Sequence, residues 1–136
     1  MLNKFFIETS VVKKLLDPSK GSIGNFAARR DLARCLGLID KITYQDLGYI
    51  GDIRNLFAHS HLTMDFNDEE VISKCNLLKY AEPVLRVMSS HTTKKDSEDS
   101  NTAELGSPRF RFILTVALLS QQLLVDTLKI KKSKFP

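Results

Sequence analysis

The sequence contains no tryptophan and few residues that favour turns. Its 136 residues include six glycines and four prolines. Proteins built from many short strands need a turn, usually marked by glycine or proline, every few residues, so a turn-rich β architecture is excluded. The length fits one domain over residues 1–136 with a modest core. We therefore predict an all-α protein, a compact bundle of about five helices.

Cysteine is also scarce, and its two residues form neither a redox motif nor a zinc motif. Cys35 and Cys75 lie in separate helical patterns without a Cys-x-x-Cys spacing. This usage is typical of reduced core thiols in a cytosolic protein. The first residues, which begin Met1-Leu2-Asn3-Lys4, lack an apolar stretch long enough for a signal peptide. We expect a cytoplasmic protein.

The body of the chain lacks an excess of positive charge. The net charge is +4, but residues 1–88 contribute only +1 and residues 89–136 contribute +3. Most of the excess lies in a basic tail, residues 129–136. DNA-binding domains normally carry a basic face, because phosphate neutralisation supplies most of their non-specific affinity. Nucleic-acid binding is therefore weakly supported, and it would have to use Arg29, Arg30, Arg34 and the lysines of the tail.

Apolar residues recur at three- and four-residue steps in the first half of the chain, which predicts helices. The first covers residues 3–16. The second begins at a cap, Ser22 or Asn25, and ends at Gly37 in the left-handed conformation. The third, residues 43–59, is opened by Asp40 or Thr43.

The second half of the chain predicts two more helices and a loop. Asn67 or Asp68 caps the fourth helix, which either continues past Pro83 with a kink or restarts there. Residues 89–107 contain one large apolar residue, so we predict a long mobile loop.

The last helix is predicted from a cap at Ser107 and a proline at its first position, Pro108. It is apolar nearly all round over residues 110–128. Polar residues shorten this apolar run, so we expect the central helix of a bundle or a subunit interface and no membrane span. These polar residues are Arg111, Gln121, Gln122 and Asp126.

One motif can carry chemistry, Arg54-Asn55-Leu56-Phe57-Ala58-His59. The spacing Arg-Asn-x-x-x-His is the signature of the HEPN superfamily, helical domains that often dimerise with two such motifs facing one cleft. This resemblance implies metal-free RNA cleavage, with His59 as general base, Arg54 on the phosphate and Asn55 in a positioning role. Arg54 and His59 differ by about 140° on an ideal helix. They converge only if the helix ends near Ala58 or if a second copy faces the first.

The same residues also have a structural interpretation. Arg54 then pairs with Asp52, Asp46 or Asp31, Asn55 bonds to neighbouring backbone, and His59 caps the end of the helix. The sequence allows both interpretations and favours a protein that is not an enzyme.

Other chemistry has little support in the sequence. His59 and His61 with Asp65 offer possible metal ligands, but no HExxH or Cys/His quartet exists. The segment 21–24 is a short Gly-x-x-Gly turn rather than a phosphate-binding loop. No Gly-x-Ser-x-Gly elbow supports a serine hydrolase. We expect neither a metal nor a cofactor.

Several segments, taken in order, resemble the mannitol operon repressor (MtlR) family. The first is Gly21-Ser22-Ile23-Gly24-Asn25-Phe26, which continues to residue 33, and the others lie at residues 36–39, 44–47, 53–59, 66–68 and 111–119. The resemblance implies an all-α bundle and a negative regulator of a sugar-alcohol uptake operon. Family members usually have a further helical segment before the position of Met1, so we expect a shorter start here or a dimer partner in its place.

The sequence contains no helix-turn-helix with a suitable recognition helix, because Gly48 and Gly51 stand where base-reading side chains would be needed. We therefore expect regulation through a protein partner, by a chain that forms a homodimer through its apolar final helix. The candidate partner-binding residues are Arg29, Arg30, Phe57, Leu118 and Leu119.

Overall fold

The computed structural model describes residues 1–2, 9–59, 64–92 and 105–129. This part of the chain is helical and has no strand, which confirms the all-α class. Its helices are α1 (Thr9–Leu15), α2 (Phe26–Cys35), α3 (Lys41–His59), α4 (Glu69–Asn76), α5 (Glu82–Thr92) and α6 (Pro108–Lys129).

The number of helices exceeds the predicted five because the fourth predicted helix is divided in two. Helix α4 ends at Asn76 and α5 restarts at Glu82, with Pro83 in its first turn. Proline is tolerated there because the first N–H groups of a helix have no partner inside the helix. Of the two alternatives at Pro83, the restart is confirmed.

Both ends of α2 are as the sequence predicts. The Asn25 side chain accepts a hydrogen bond from the backbone N–H of Ala28 at 2.7 Å. Gly37 has φ +67°. The N–H of Leu38 donates to the Ala33 carbonyl and that of Gly37 donates to the Arg34 carbonyl. This is a Schellman motif, and it satisfies two carbonyls that the end of the helix leaves free.

The two long helices also begin at predicted caps. Asp40 accepts a hydrogen bond from the backbone N–H of Thr43 at 2.7 Å, and Ser107 accepts one from the N–H of Phe110 at 3.1 Å. Pro108 is the first helical residue of α6. A side-chain oxygen at the N-cap satisfies a backbone donor that would otherwise lack a partner.

The chain divides into two compact units. The first contains residues 1–44 and 120–136, and the second contains residues 45–119. The core of the second unit is the buried trio Ile53, Val71 and Cys75. Leu56, Met64, Phe66 and Phe112 pack against it.

Helix α6 is not enclosed as a central bundle helix would be. Of the residues in its apolar 18-residue stretch, 11% are buried. The expectation of a central helix is therefore wrong, and the alternative of a subunit interface remains. By length and composition alone α6 could cross a membrane, and one such helix is weak evidence of a membrane span.

Helix α5 reaches Thr92, so the predicted loop loses its first four residues to this helix. Residues 93–104, which make up most of that predicted loop, lie outside the described residues. So do residues 3–8 of the predicted first helix, His61, and residues 130–136 of the basic tail.

The two cysteines differ in burial. Cys75 is buried in the core of the second unit, as predicted. Cys35 is exposed, so the expectation of a core thiol is wrong for this residue. Cys35 is the last residue of α2.

Candidate functional site

A cleft of about 480 Å³ lies beside the C-terminal half of α3, within the second unit. Four of its lining residues come from one face of α3, at the spacing i, i+3, i+4 and i+7 that places side chains above one another. The remaining three are Met64 and two residues of α4. The lining residues are Asp52, Asn55, Leu56, His59, Met64, Glu70 and Lys74.

The apolar part of the cleft is anchored in the core. Leu56 and Met64 both pack against the buried cluster of Ile53, Val71 and Cys75. A cleft wall that is continuous with a packed core holds its shape, because displacement of the wall disturbs close-packed neighbours.

An ion pair joins the two helices that border the cleft. The Lys74 ammonium lies 3.2 Å from a carboxylate oxygen of Asp52, and their side chains are 27% and 54% exposed. A pair this exposed contributes at most about 1 kcal/mol to stability. Its main consequence for the cleft is that the charges of Asp52 and Lys74 largely cancel.

The other polar groups of the cleft are available to a ligand. Among the described residues, none forms a hydrogen bond or ion pair with the side chains of Asn55, His59 or Glu70. Asn55 and His59 are exposed and lie one turn apart on α3.

Arg54 does not share this cleft with His59. Helix α3 runs through His59 without an earlier end, so the angle of about 140° between the two residues is kept. The first route to convergence, a helix end near Ala58, is therefore wrong. Convergence of Arg54 and His59 in one site would need a second copy of the chain.

The structural interpretation of Arg54 is also wrong, because its three candidate partners have other contacts. Asp52 pairs with Lys74, and Asp31 pairs with Arg30 at 3.0 Å. Asp46 accepts hydrogen bonds from the backbone N–H groups of Lys79 and Tyr80. No described residue forms an ion pair or hydrogen bond with Arg54.

The side chains of Asn55 and His59 make no hydrogen bond with a described residue. Within the described residues, Asn55 therefore does not bond to neighbouring backbone and His59 does not cap the end of the helix. The described residues also hold no group of three metal ligands. His61, one of the possible ligands considered from sequence, lies outside them.

The arginines of α2 hold their own unit together. Arg29 donates hydrogen bonds to the carbonyls of Leu16 and Ile23, on either side of the turn between α1 and α2. Arg34 donates to the Ile39 carbonyl at 3.0 Å. Their donors are therefore partly used inside the chain.

Arg30 is occupied as well. Its guanidinium lies 4.5 Å from the centre of the Tyr44 ring, a cation–π contact. It also pairs with Asp31, and hydrogen bonds from Arg30 and then from Tyr44 lower the pKa of the Asp31 carboxyl.

The candidate partner-binding residues of the second unit differ in exposure. Phe57 is 37% exposed and its ring lies 5.2 Å from that of Phe66. Leu118 is half-buried. Leu119 is only 1% exposed, so its assignment to a partner contact needs correction: it is an internal packing residue.

Two strongly exposed leucines of α6 were not predicted. Leu124 and Leu128 are 61% and 69% exposed and lie one turn apart. Val125 beside them is 37% exposed. Because α6 is apolar nearly all round, the sequence pattern alone did not distinguish its covered face from its uncovered one.

The cleft residues Asp52, Glu70 and Lys74 were also missed as a group. Asp52 carries a usable signal, since it continues the i, i+3, i+7 row of Asn55 and His59. Nothing in the local sequence indicates that α4 brings Glu70 and Lys74 to the same place.

Comparison with known proteins places the chain in a family. The family model described as MtlR, mannitol repressor, matches residues 2–129 of the chain. No curated protein and no solved structure matches it.

Proposed function

The chain belongs to the mannitol repressor family, and from this membership we propose a cytoplasmic regulator of transcription that acts through a protein partner instead of reading DNA. The family match supports a regulatory role like that of a mannitol repressor. Beyond the family match, we propose that the chain acts through a protein partner and forms a homodimer through α6.

One observation carries the protein-contact part of the proposal. Leu124 and Leu128 expose 61% and 69% of their surface at neighbouring positions of one helix. Exposed leucines at i and i+4 favour contact with the apolar face of another helix. We propose that the face of Leu124, Val125 and Leu128 binds the same face of a second copy.

The arrangement of the arginines supports action without direct DNA reading. Arg29 and Arg34 donate to backbone carbonyls, and Arg30 is stacked on Tyr44 and paired with Asp31. An arginine that contacts phosphate or a guanine edge needs free donors aimed outwards. These three therefore make a poor DNA-binding face.

The test compares matched charge substitutions on α6 in cells that lack the chromosomal gene. Leu128→Lys places a charge in the proposed contact. Gln122→Lys adds the same charge at an exposed polar position of the same helix, about 120° round the helix from Leu128 and beside Asp126. We expect the Leu128→Lys strain to resemble the deletion strain in its transcript profile and the Gln122→Lys strain to resemble the wild type. Equal repression by both variants would contradict the proposal.

A second candidate function is metal-independent RNA cleavage or RNA binding. Its support is that Asn55 and His59 are free and line one cleft. The carboxylates of Asp52 and Glu70 in the same cleft oppose it, because they repel a phosphodiester. RNA incubated with the protein in EDTA should stay intact. Cleavage that is lost in His59→Ala and kept in His91→Ala would establish the second function instead.

A further inference from the structure

The cleft beside α3 carries an unpaired negative charge, and we infer that it receives an arginine side chain of the protein partner. The inference rests on the proposed function, in which the chain acts through such a partner, and it names the chemistry that the partner presents. The cleft measures about 480 Å³, and α3 and α4 both contribute side chains that accept hydrogen bonds.

The charges that line the cleft do not cancel. The Lys74 ammonium lies 3.2 Å from a carboxylate oxygen of Asp52. Glu70 is one helical turn from Lys74 on α4, but it forms no ion pair with Lys74 or with any other described residue. The two carboxylates and the one ammonium leave the cleft with a net charge of −1 when His59 is neutral. This charge attracts a cation and repels a phosphate or a carboxylate.

The free polar groups of the cleft suit a guanidinium. The Asn55 side-chain carbonyl and the unprotonated nitrogen of a neutral His59 each accept hydrogen bonds, and the Glu70 carboxylate can accept two from one guanidinium. A guanidinium holds five N–H donors in one plane, so it can bond to acceptors on α3 and α4 at the same time. The ammonium of a lysine has three donors and is more strongly hydrated, so it suits the cleft less well.

The apolar part of the lining suits the stem of an arginine side chain. Leu56 and Met64 border the cleft and pack against the core of the second unit. Long charged side chains bury their methylene groups along apolar surface while the charged head stays among polar groups. An arginine can therefore cover Leu56 and Met64 while its guanidinium pairs with Glu70.

The exposure of the polar lining favours a side chain of a protein over a free small cation. Asp52, Asn55, His59 and Glu70 are all exposed. Sites for small molecules usually bury most of the surface of the ligand, which is difficult to achieve in a cleft whose polar lining is itself exposed. An arginine of a partner protein is held by the rest of the interface, which also excludes water from the ion pair.

The experiment is an NMR titration of the isotopically labelled full chain with two capped pentapeptides. One is Gly-Ala-Arg-Ala-Gly, and the other has citrulline in place of arginine, which keeps the shape of the side chain and removes its charge. We expect the arginine peptide to shift the amide signals of Asn55, His59 and Glu70. It should bind about tenfold more tightly than the citrulline peptide, because only arginine makes a charge-assisted hydrogen bond to Glu70.

Glu70→Gln should remove this preference, so that the variant binds both peptides about equally. Glu69→Gln is the matched control, since it removes the same charge from the same first turn of α4 but lies outside the cleft, and it should keep the preference of the wild type. Leu128 also lies outside the cleft, so Leu128→Lys should bind the arginine peptide as the wild type does. Failure of the cleft inference and failure of the proposed α6 contact can therefore be told apart.

Three outcomes would overturn the inference: no binding of the arginine peptide, equal binding of the two peptides by the wild type, or loss of the preference in Glu69→Gln as well as in Glu70→Gln. A titration with putrescine tests the other kind of cation. Putrescine bound more tightly than the arginine peptide would assign the cleft to a free small cation and would also overturn the inference.

Discussion

Asp46 is the residue whose role differs most from its sequence-based prediction. It was considered as a partner of Arg54, yet it is 1% exposed and accepts hydrogen bonds from the backbone N–H groups of Lys79 and Tyr80 at 2.8–3.2 Å. Arg111 contacts the same segment, donating to the Leu78 carbonyl at 3.0 Å. Two charged side chains thus satisfy the backbone where α4 ends and α5 begins, within the buried interior of the second unit.

Asp46→Asn should destabilise the chain by about 2 kcal/mol, because hydrogen bonds to a charged acceptor are replaced and an amide N–H₂ faces backbone donors. Asp52→Asn is the control on the same helix, and loss of its exposed pair with Lys74 should cost less than about 1 kcal/mol. Urea unfolding followed by circular dichroism measures both. Equal costs would show that Asp46 does not hold this segment.

The two thiols should differ in reactivity. Cys35 is exposed and Cys75 is buried, and burial raises the pKa of the Cys75 thiol, with the nearby Arg111 acting in the opposite direction. We expect one thiol to react quickly with iodoacetamide and the second only after unfolding. Mass spectrometry of the labelled peptides identifies which cysteine has reacted, and rapid labelling of Cys75 would contradict its burial in the core.

The raised pKa of the Cys75 thiol predicts that the stability of the protein depends on pH. Above about pH 9, the ordinary pKa of the thiol, Cys75 ionises in the unfolded chain while it stays protonated in the folded one. The unfolded state then binds fewer protons, so the free energy of unfolding falls as pH rises. In Cys75→Ala this decrease should be absent. The free energy of unfolding of that variant above about pH 9 should equal its own value at neutral pH.

At the scale of helices, the sequence predicted where a helix begins or ends better than it predicted whether a helix continues or restarts. Ser107 and Gly37 were identified from sequence, and Asn25 and Asp40 were each one of two alternatives. Caps can be predicted in this way because their hydrogen bonds join residues within a few positions of one another. The division at Pro83 was left open, because the restart depends on Asp46 and Arg111, which lie 33 residues away along the chain. The exposed face of α6 was missed for a similar reason, since its uniform apolar composition carries no directional signal.

Gly37→Ala tests the predicted end of α2. The residue has φ +67°, and no atom lies within 4 Å of an added Cβ, so the cost comes from backbone conformation alone. We expect a loss of about 1 kcal/mol. Gly106→Ala has the same open surroundings without the left-handed φ, and it should be neutral or slightly stabilising. A neutral Gly37→Ala would mean that the helix does not end in the Schellman motif.

At the scale of the molecule, the sequence predicted the helical class and the family from ordered motifs. It did not predict the cleft, because Glu70 and Lys74 reach Asn55 and His59 only through the packing of α4 on α3. It placed the Arg54–His59 motif correctly on a helix that ends at His59. Arg54 and His59 point in different directions because His59 is still part of the helix.

The proposed dimer makes a prediction for the mass of the protein in solution. Light scattering after size-exclusion chromatography should give a dimer for the wild type and for Gln122→Lys, and a monomer for Leu128→Lys, because burial of a charge in an apolar contact is costly. Circular dichroism should show unchanged helix content in all three. A dimer that persists in Leu128→Lys would place the contact between copies elsewhere on the chain. A monomeric wild type would show that the proposed dimer does not form.

The central claim, regulation without direct reading of DNA, is tested most directly by fluorescence anisotropy. The purified chain is titrated, at a low salt concentration of about 50 mM, with labelled duplexes that tile the promoter of the operon derepressed in the deletion strain. We predict that no duplex is preferred over the others by more than about tenfold. One duplex bound about a thousandfold more tightly, with an affinity that falls steeply as salt is raised, would contradict the claim.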